Sequence, residues 1–331
     1  MPHYLKFMSL ILLAYMLTAT ANAKDENLIE FNQAYSDFQI LTKQGKWKEW
    51  LPHAENAYQL GKQVHGETSK HTAALAQNYG LNLYELDRNK EAENWLNISL
   101  SISENNLGKD APELIPILMN LGKAAANHES SRSQEKYFRR MLGIAKDNFG
   151  ESSTRYASLQ GGVGRSLYNT GHLRKAKKYI YDGYEILQRV LGDSSPKTGN
   201  AAFHIGKYEM THRGYEEAIK YLNKALLGFD SGKAMSRNEL TTRAFLIDAY
   251  ENMGESEKAT QHCLAIGRMK PAVEVQNYVP IFKKLPIFPR VALRARITGD
   301  VIVEFDVDAN GFVVEPKMVS YTVSDQPTPK N

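Results

Sequence analysis

Three hydrophobic patterns succeed one another along the chain. Phe7 to Ala21 is almost uninterruptedly apolar. From about residue 28 to 270 apolar residues recur in helical segments separated by short polar turns. From Gly299 the period becomes two: Val301, Val303, Phe305 and Val307 alternate with Ile302, Glu304, Asp306 and Asp308, which predicts a half-buried strand. Asp308-Ala309-Asn310-Gly311 is a turn signal, and Phe312 to Tyr321 returns as a second strand. Pro316 has no N–H to donate, so it is expected at an edge or a bulge.

The helical region repeats. Gly80, Gly122, Gly164 and Gly206 stand 42 residues apart, and so do Gly66, Gly108, Gly150 and Gly192. Twelve residues after the first set come Ala92, Gln134, Ala176 and Ala218, with Ala259 one residue short of register. Each period predicts two helices. In the one around Gly206 they are Asn200 to Met210 and Tyr215 to Phe229, joined by a turn at His212-Arg213-Gly214. A glycine inside a helix costs about 1 kcal/mol relative to alanine. The first ladder is therefore expected where a neighbouring helix approaches closely, with the alanines facing it. The second ladder is expected to end helices in the left-handed conformation that glycine adopts cheaply.

Leu121-Gly122, Ile205-Gly206, Ala218, Ala225 and the Tyr250, Ala259 pair resemble the tetratricopeptide repeat. The common repeat is about 34 residues; the longer period is similar to that of kinesin-light-chain-type arrays. The resemblance covers roughly 28–270, five to six helix pairs, and implies a right-handed α-solenoid. The first repeat is degenerate, with Trp47, Trp50 and Tyr58 where small residues are expected, as capping repeats often are.

The resemblance also implies a concave surface lined by first helices. Lys123, Arg165 and Lys207 are 42 residues apart, one residue beyond the ladder glycines. Asn127 and Asn169 lie four residues further on, and Asn252 takes the matching place in the last repeat. Residues at i and i+4 share a helix face. Stacked repeats would line cations beside amides, a row suited to an acidic peptide or a chain-terminal carboxylate. The alternative is a solvated face, because exposed helix positions favour Lys and Arg in any case. Tyr84, Tyr168 and Met210, three residues beyond the cation position, are expected to add apolar contact there or to pack in the core.

Lys6, the apolar run and Ala21-Asn22-Ala23 match a secretory signal peptide cleaved after residue 23. About 15 apolar residues fall short of the ~20 that span a bilayer. Export to the periplasm is the expectation, an uncleaved inner-membrane anchor the alternative, and a membrane association follows only from the latter. The single Cys263 permits no internal disulfide and is expected on a buried helix face. A formal charge of +4, with basic residues scattered among acids, does not point to nucleic acid.

Pro271, Pro280, Pro286 and Pro289 interrupt the helical pattern before the hairpin. The segment Pro286-Ile287-Phe288-Pro289, followed by Gly299-x-Val301-x-Val303-x-Phe305-x-Val307-Asp308-x-x-Gly311, resembles the opening of a TonB C-terminal domain. That resemblance implies a small α+β module at 277–331 and partners among TonB-system or outer-membrane receptor components. It departs from the family after the hairpin: Thr322 to Asn331 is too short and polar for the further helix and strand. The start of a calcium loop at Asp306-x-Asp308-x-Asn310-Gly311 lacks its acid, since the twelfth position is Lys317.

No phosphate-binding, zinc-protease, nucleophile-elbow or dithiol motif is present. Gly161-Gly162-Val163-Gly164 lacks dinucleotide spacing and is expected in a helix, at a close packing contact. The expectation is a protein without enzymatic activity or cofactor: a periplasmic adaptor that binds a protein or peptide beside TonB-dependent transport. The alternatives are an anchored energy transducer and a general repeat scaffold capped by its hairpin.

Overall fold

A computed structural model describes residues 27–37, 40–41, 44, 47–128, 131–229, 236–267, 297–307 and 313–325. Its helices come in pairs. A helix at 27–37 (α1) precedes α2 (Trp47–His65); then follow α3 (Lys70–Glu85) with α4 (Asn89–Leu107), and α5 (Ile115–His128) with α6 (Ser131–Phe149). Next are α7 (Thr154–Asn169) with α8 (Leu173–Leu191), α9 (Pro196–Thr211) with α10 (Tyr215–Phe229), and α11 (Arg237–Asn252) with α12 (Ser256–Gly267). A 3-10 turn, Pro112–Leu114, leads into α5. Two strands, β1 (Ile297–Val307) and β2 (Val313–Asp325), close the order. The chain divides into two units, residues 1–179 and 180–331.

Local chemistry sets these boundaries. Ser69, Ser153 and Ser236 are N-caps whose side chains accept from the N–H of Thr72, Tyr156 and Glu239. Ser195 precedes Pro196, a good first helical residue, so α9 starts four residues before the predicted Asn200. Gly66, Gly108, Gly150 and Gly192 follow the second helices with φ of 91°, 89°, 80° and 75°. Within each pair the turn is a second recurring device. Asp87, Gly171, Arg213 and Gly254 take positive φ there, and the next N–H reaches back to Leu83, Leu167, Glu209 and Tyr250.

The first glycine ladder marks close contacts between the two helices of a pair. A β-carbon at Gly80 would stand 2.9 Å from Leu96 Cγ, and one at Gly206 2.6 Å from Leu222 Cγ. At Gly122 it would enter the ring of Phe138. The second-helix ladder Ala92, Gln134, Ala176, Ala218 and Ala259 is fully buried. Gln134 fits among alanines because its amide is bonded: Nε2 donates to Ser166 Oγ (3.3 Å) and Oε1 accepts from Thr170 (3.5 Å).

In the first unit Ala57, Tyr58, Leu75 and Ala76 form a core cluster, and Trp95 meets Tyr58 and Tyr79 edge-on at 4.6 Å. In the second, Leu222, Leu246, Tyr250 and Ala259 do so. Cys263 packs against that cluster but is half-buried rather than buried. The side chains of Trp47 and Trp50 lie outside the described residues, as do the leader, 268–296 and the turn at 308–312.

β1 and β2 pair antiparallel, with register shifts at Ile302/Val303 and Glu304/Asp306. Pro316 falls in the second irregularity, where Glu315 has φ 48°, as its missing donor requires. Two expectations fail here. The strands are exposed on both faces rather than half-buried, with Val301 at 61% and Ile302 at 60%, because no helix among the described residues covers them. Thr322 to Asp325 also belongs to β2, since Ile297 to Asp300 extend β1 and supply pairing partners.

Candidate interaction face

The polar groups of the second helices are largely occupied by one another. Tyr137 on α6 donates to Glu93 on α4 (2.9 Å), and Arg140 on α6 binds Glu104 on α4 and the carbonyl of Lys109. Lys175 on α8 pairs with Glu135 on α6. In the second unit Lys224 on α10 donates to Tyr184 on α8 (3.1 Å). These bonds join residues about one repeat apart, so they hold neighbouring repeats in register.

The first helices differ. Lys123 on α5 is half-buried and Arg165 on α7 exposed; neither has an acidic partner among the described residues. Arg165 folds back along its own helix. Its Nη1 lies 3.7 Å from where Gly161 would carry a β-carbon, and Nη2 3.9 Å from that of Gly162. Desolvation there lowers the guanidinium pKa below its ordinary value. Met119 of α5 reaches the same place, its Cε 2.9 Å from the β-carbon position of Gly162. The paired glycines thus form a shallow seat shared by a thioether and a cation. Gly162 marks the close contact expected of this run, whereas Gly161 meets only Arg165.

Asn169 is exposed at the end of α7, on the face of Arg165. Asn127 lies on α5, but its side chain is outside the described residues. In the second unit Lys207 is exposed on α9. Asn252, exposed, turns its amide back along its own helix, donating to the carbonyl (2.7 Å) and carboxylate (2.9 Å) of Asp248. Asp248 stands 41 residues after Lys207, so an acid occupies the cation position in the last repeat. Tyr84, Tyr168 and Met210 are half-buried.

Sequence reasoning missed Asn200, His204, Asn238 and Thr241. With Phe203 and Phe229 they line a pocket of about 170 Å³ between α9, α10 and α11. Asn200, His204 and Lys207 follow i, i+4, i+7 spacing on one face of α9. The available signal was the same period: His204 stands 42 residues after Gly162, which stands 42 after Asn120.

Among the described residues no group of acids, histidines and cysteine could hold a metal ion, and no helix is long and apolar enough to cross a membrane.

No protein-family model matches the chain, and no curated protein matches it in sequence. The fold has solved counterparts. BtubC (BKLC) from P. vanneervenii aligns with a TM-score of 0.50 at 15% identity, over 78% of this chain and 99% of that one. A signal-transduction ATPase with a tetratricopeptide-repeat sensor, from Pyrococcus horikoshii, aligns with a TM-score of 0.51 at 16% identity, over 76% of this chain and 37% of that one. The helix pairs described above therefore have the fold of tetratricopeptide repeats.

Proposed function

We propose that the protein is a non-enzymatic adaptor of the bacterial envelope, acting beside TonB-dependent transport, and that the first-helix face binds a segment of a protein partner. The observation that carries the binding face is the contrast between helices. Second-helix charges are bonded to each other across repeats, whereas Lys123 and Arg165 recur on first helices without acidic partners among the described residues. Unpaired cations beside amides and a thioether suit an acidic or carboxylate-ended peptide.

Two features of the sequence support the location and the transport role: the leader ending at Ala23, and the resemblance of 285–311 to a TonB C-terminal domain. The exposure of both hairpin faces favours a docking module over a cap, which would bury one face against the array.

Affinity purification of the exported protein should recover TonB-system components or outer-membrane receptors. The triple variant Lys123→Glu, Arg165→Glu, Lys207→Glu should lose them while keeping its helical circular dichroism. Recovery of unrelated soluble proteins alone would defeat the transport role, and undiminished recovery by the variant would defeat the face. A mature N-terminus at Lys24 separates the adaptor from an anchored transducer.

A further inference from the structure

A two-stranded sheet has two outer edges, and those of the hairpin are unlike. Both register shifts add a residue to β2. Ile302 and Val303 pair with Ser320 and Met318, which leaves Val319 opposite no residue of β1. Glu304 and Asp306 pair with Lys317 and Val314, which sets Phe305 against two residues. One of those two is Pro316, which has no N–H, and the other, Glu315, has φ 48°. Bulges and proline are means of blunting a strand edge. β1 has neither. It runs from Ile297 to Val307 with no extra residue, an open edge of about 35 Å.

Alternation sorts the side chains along that edge. Asp300, Ile302, Glu304 and Asp306 share one face, and Val301, Val303 and Phe305 the other; all are exposed. β1 contains no cation. Lys317 stands opposite Glu304, but Asp300 and Asp306 pair with Thr322 and Val314. Like charges directly opposite in neighbouring strands destabilise, and opposite charges stabilise. A second copy of β1 is therefore a poor fit. Added antiparallel about Ile302, Val303 or Phe305, it would set Asp300 against Glu304, Asp300 against Asp306, or Glu304 against Asp306. Added parallel and in register, it would set each acid beside its own copy. A strand with Lys or Arg at every second position meets the acids on one face. Its intervening apolar residues then lie beside Val301, Val303 and Phe305 on the other.

We infer that the outer edge of β1 takes an extended segment of a partner protein in which Lys or Arg alternates with apolar residues, added as a third strand. This rests on the hairpin being a docking module, and names the edge it uses and the chemistry it takes. The probe is a capped heptapeptide, Lys-Val-Arg-Val-Lys-Val-Lys, titrated into the full chain at low ionic strength and followed by hydrogen exchange. Saturable protection of β1 amides is expected, with α5 amides unchanged. The isomer Lys-Lys-Arg-Lys-Val-Val-Val keeps the charge, loses the alternation and should bind at least about tenfold more weakly. Asp300→Lys with Asp306→Lys should weaken binding by at least about tenfold. Asp300→Asn with Asp306→Asn should fall between that variant and the natural chain. Glu315→Lys, an acid reversed on the blunted β2, is the control and should change binding by less than about threefold.

Absence of saturable protection overturns the inference, as does equal binding by the isomer or an equal loss in the Glu315 variant. Protection of β1 that rises with chain concentration in the absence of peptide would assign the edge to a second copy. Protection already present at high dilution without peptide would mean that another part of this chain covers it. Either result overturns the inference. The docking-module reading fails separately, if deletion of 277–331 leaves recovery of envelope partners undiminished.

Discussion

Gly199 on α9 and Gly228 on α10 meet backbone to backbone. A β-carbon on Gly228 would stand 2.6 Å from the Cα of Gly199, and one on Gly199 2.9 Å from the Cα of Gly228. This differs from the ladder contacts, where Gly206 faces the flexible end of Leu222. A side chain can rotate away; a helix backbone moves only with its neighbours. Gly228→Ala is therefore expected to destabilise by about 1–3 kcal/mol, in the range for overpacking a closed interface. Gly143, exposed within α6 with nothing near its β-carbon position, is the control. Gly143→Ala should stabilise by about 0.5–1 kcal/mol through helix propensity alone. Denaturant midpoints of the two variants should move in opposite directions; a shared direction would contradict the packing account.

The turn inside each helix pair yields a second test. Gly171 and Gly254 take positive φ cheaply, but Asp87 and Arg213 hold φ of 58° at the same structural position. The left-handed conformation costs an L-residue about 1–2 kcal/mol, part of which glycine returns as unfolded-state entropy. Arg213 is exposed and its N–H bond to Met210 is retained by any residue. Arg213→Gly should thus raise stability by about 0.5–1 kcal/mol, read as a higher thermal midpoint. A lower midpoint would mean that the side chain contributes more than its backbone strain removes.

Both glycine classes bear on how much was visible in the sequence. The ladders Gly80 to Gly206 and Gly66 to Gly192 were legible because a repeated backbone requirement leaves a repeated residue. The Gly199–Gly228 crossing occurs in one pair only and has no periodic signature. The intra-pair turn was legible at His212-Arg213-Gly214, but its recurring left-handed position was hidden because Asp87 and Arg213 occupy a place that glycine fills elsewhere. The hairpin's register was legible from alternation, but its exposure was not. Alternation states which residues share a face, and only a covering element decides whether that face is buried. The candidate face was half visible: Lys123, Arg165 and Lys207 follow the period. The turn of Asn252 back along its own helix depends on Asp248, a replacement that a search for recurring cations passes over.

Acid sensitivity follows from two histidines. Burial, and then the neighbouring Arg243, holds His262 below its ordinary pKa of 6.5. Burial, and then His71, does the same for His65. A base with a depressed pKa in the folded state binds fewer protons than in the unfolded chain. Stability is then complete above the unfolded pKa and falls as pH drops below 6.5, levelling off beneath the folded value. The thermal midpoint should decline between neutral pH and pH about 5, and His262→Gln should flatten part of that decline. A profile flat over this interval in the unsubstituted chain would remove both histidines from the argument.

The hairpin supports the last expectation. Val301 pairs with Tyr321 and Val303 with Met318, so these four side chains line one face, while Ile302 shares the other with the Glu304–Lys317 pair. All of them are exposed. A two-stranded sheet without a third layer is marginal by itself in water. Its exposed apolar rows stabilise neither the strands nor any described helix. Deleting residues 277–331 should accordingly leave the thermal midpoint of the helical array unchanged. Backbone amides of β1 and β2 should exchange with solvent far faster than those of α5 or α9 in the full chain. Addition of the true partner should slow exchange in the strands alone. A drop of several degrees on deletion, or strand protection equal to that of the helices without a partner, would instead make the hairpin a structural cap.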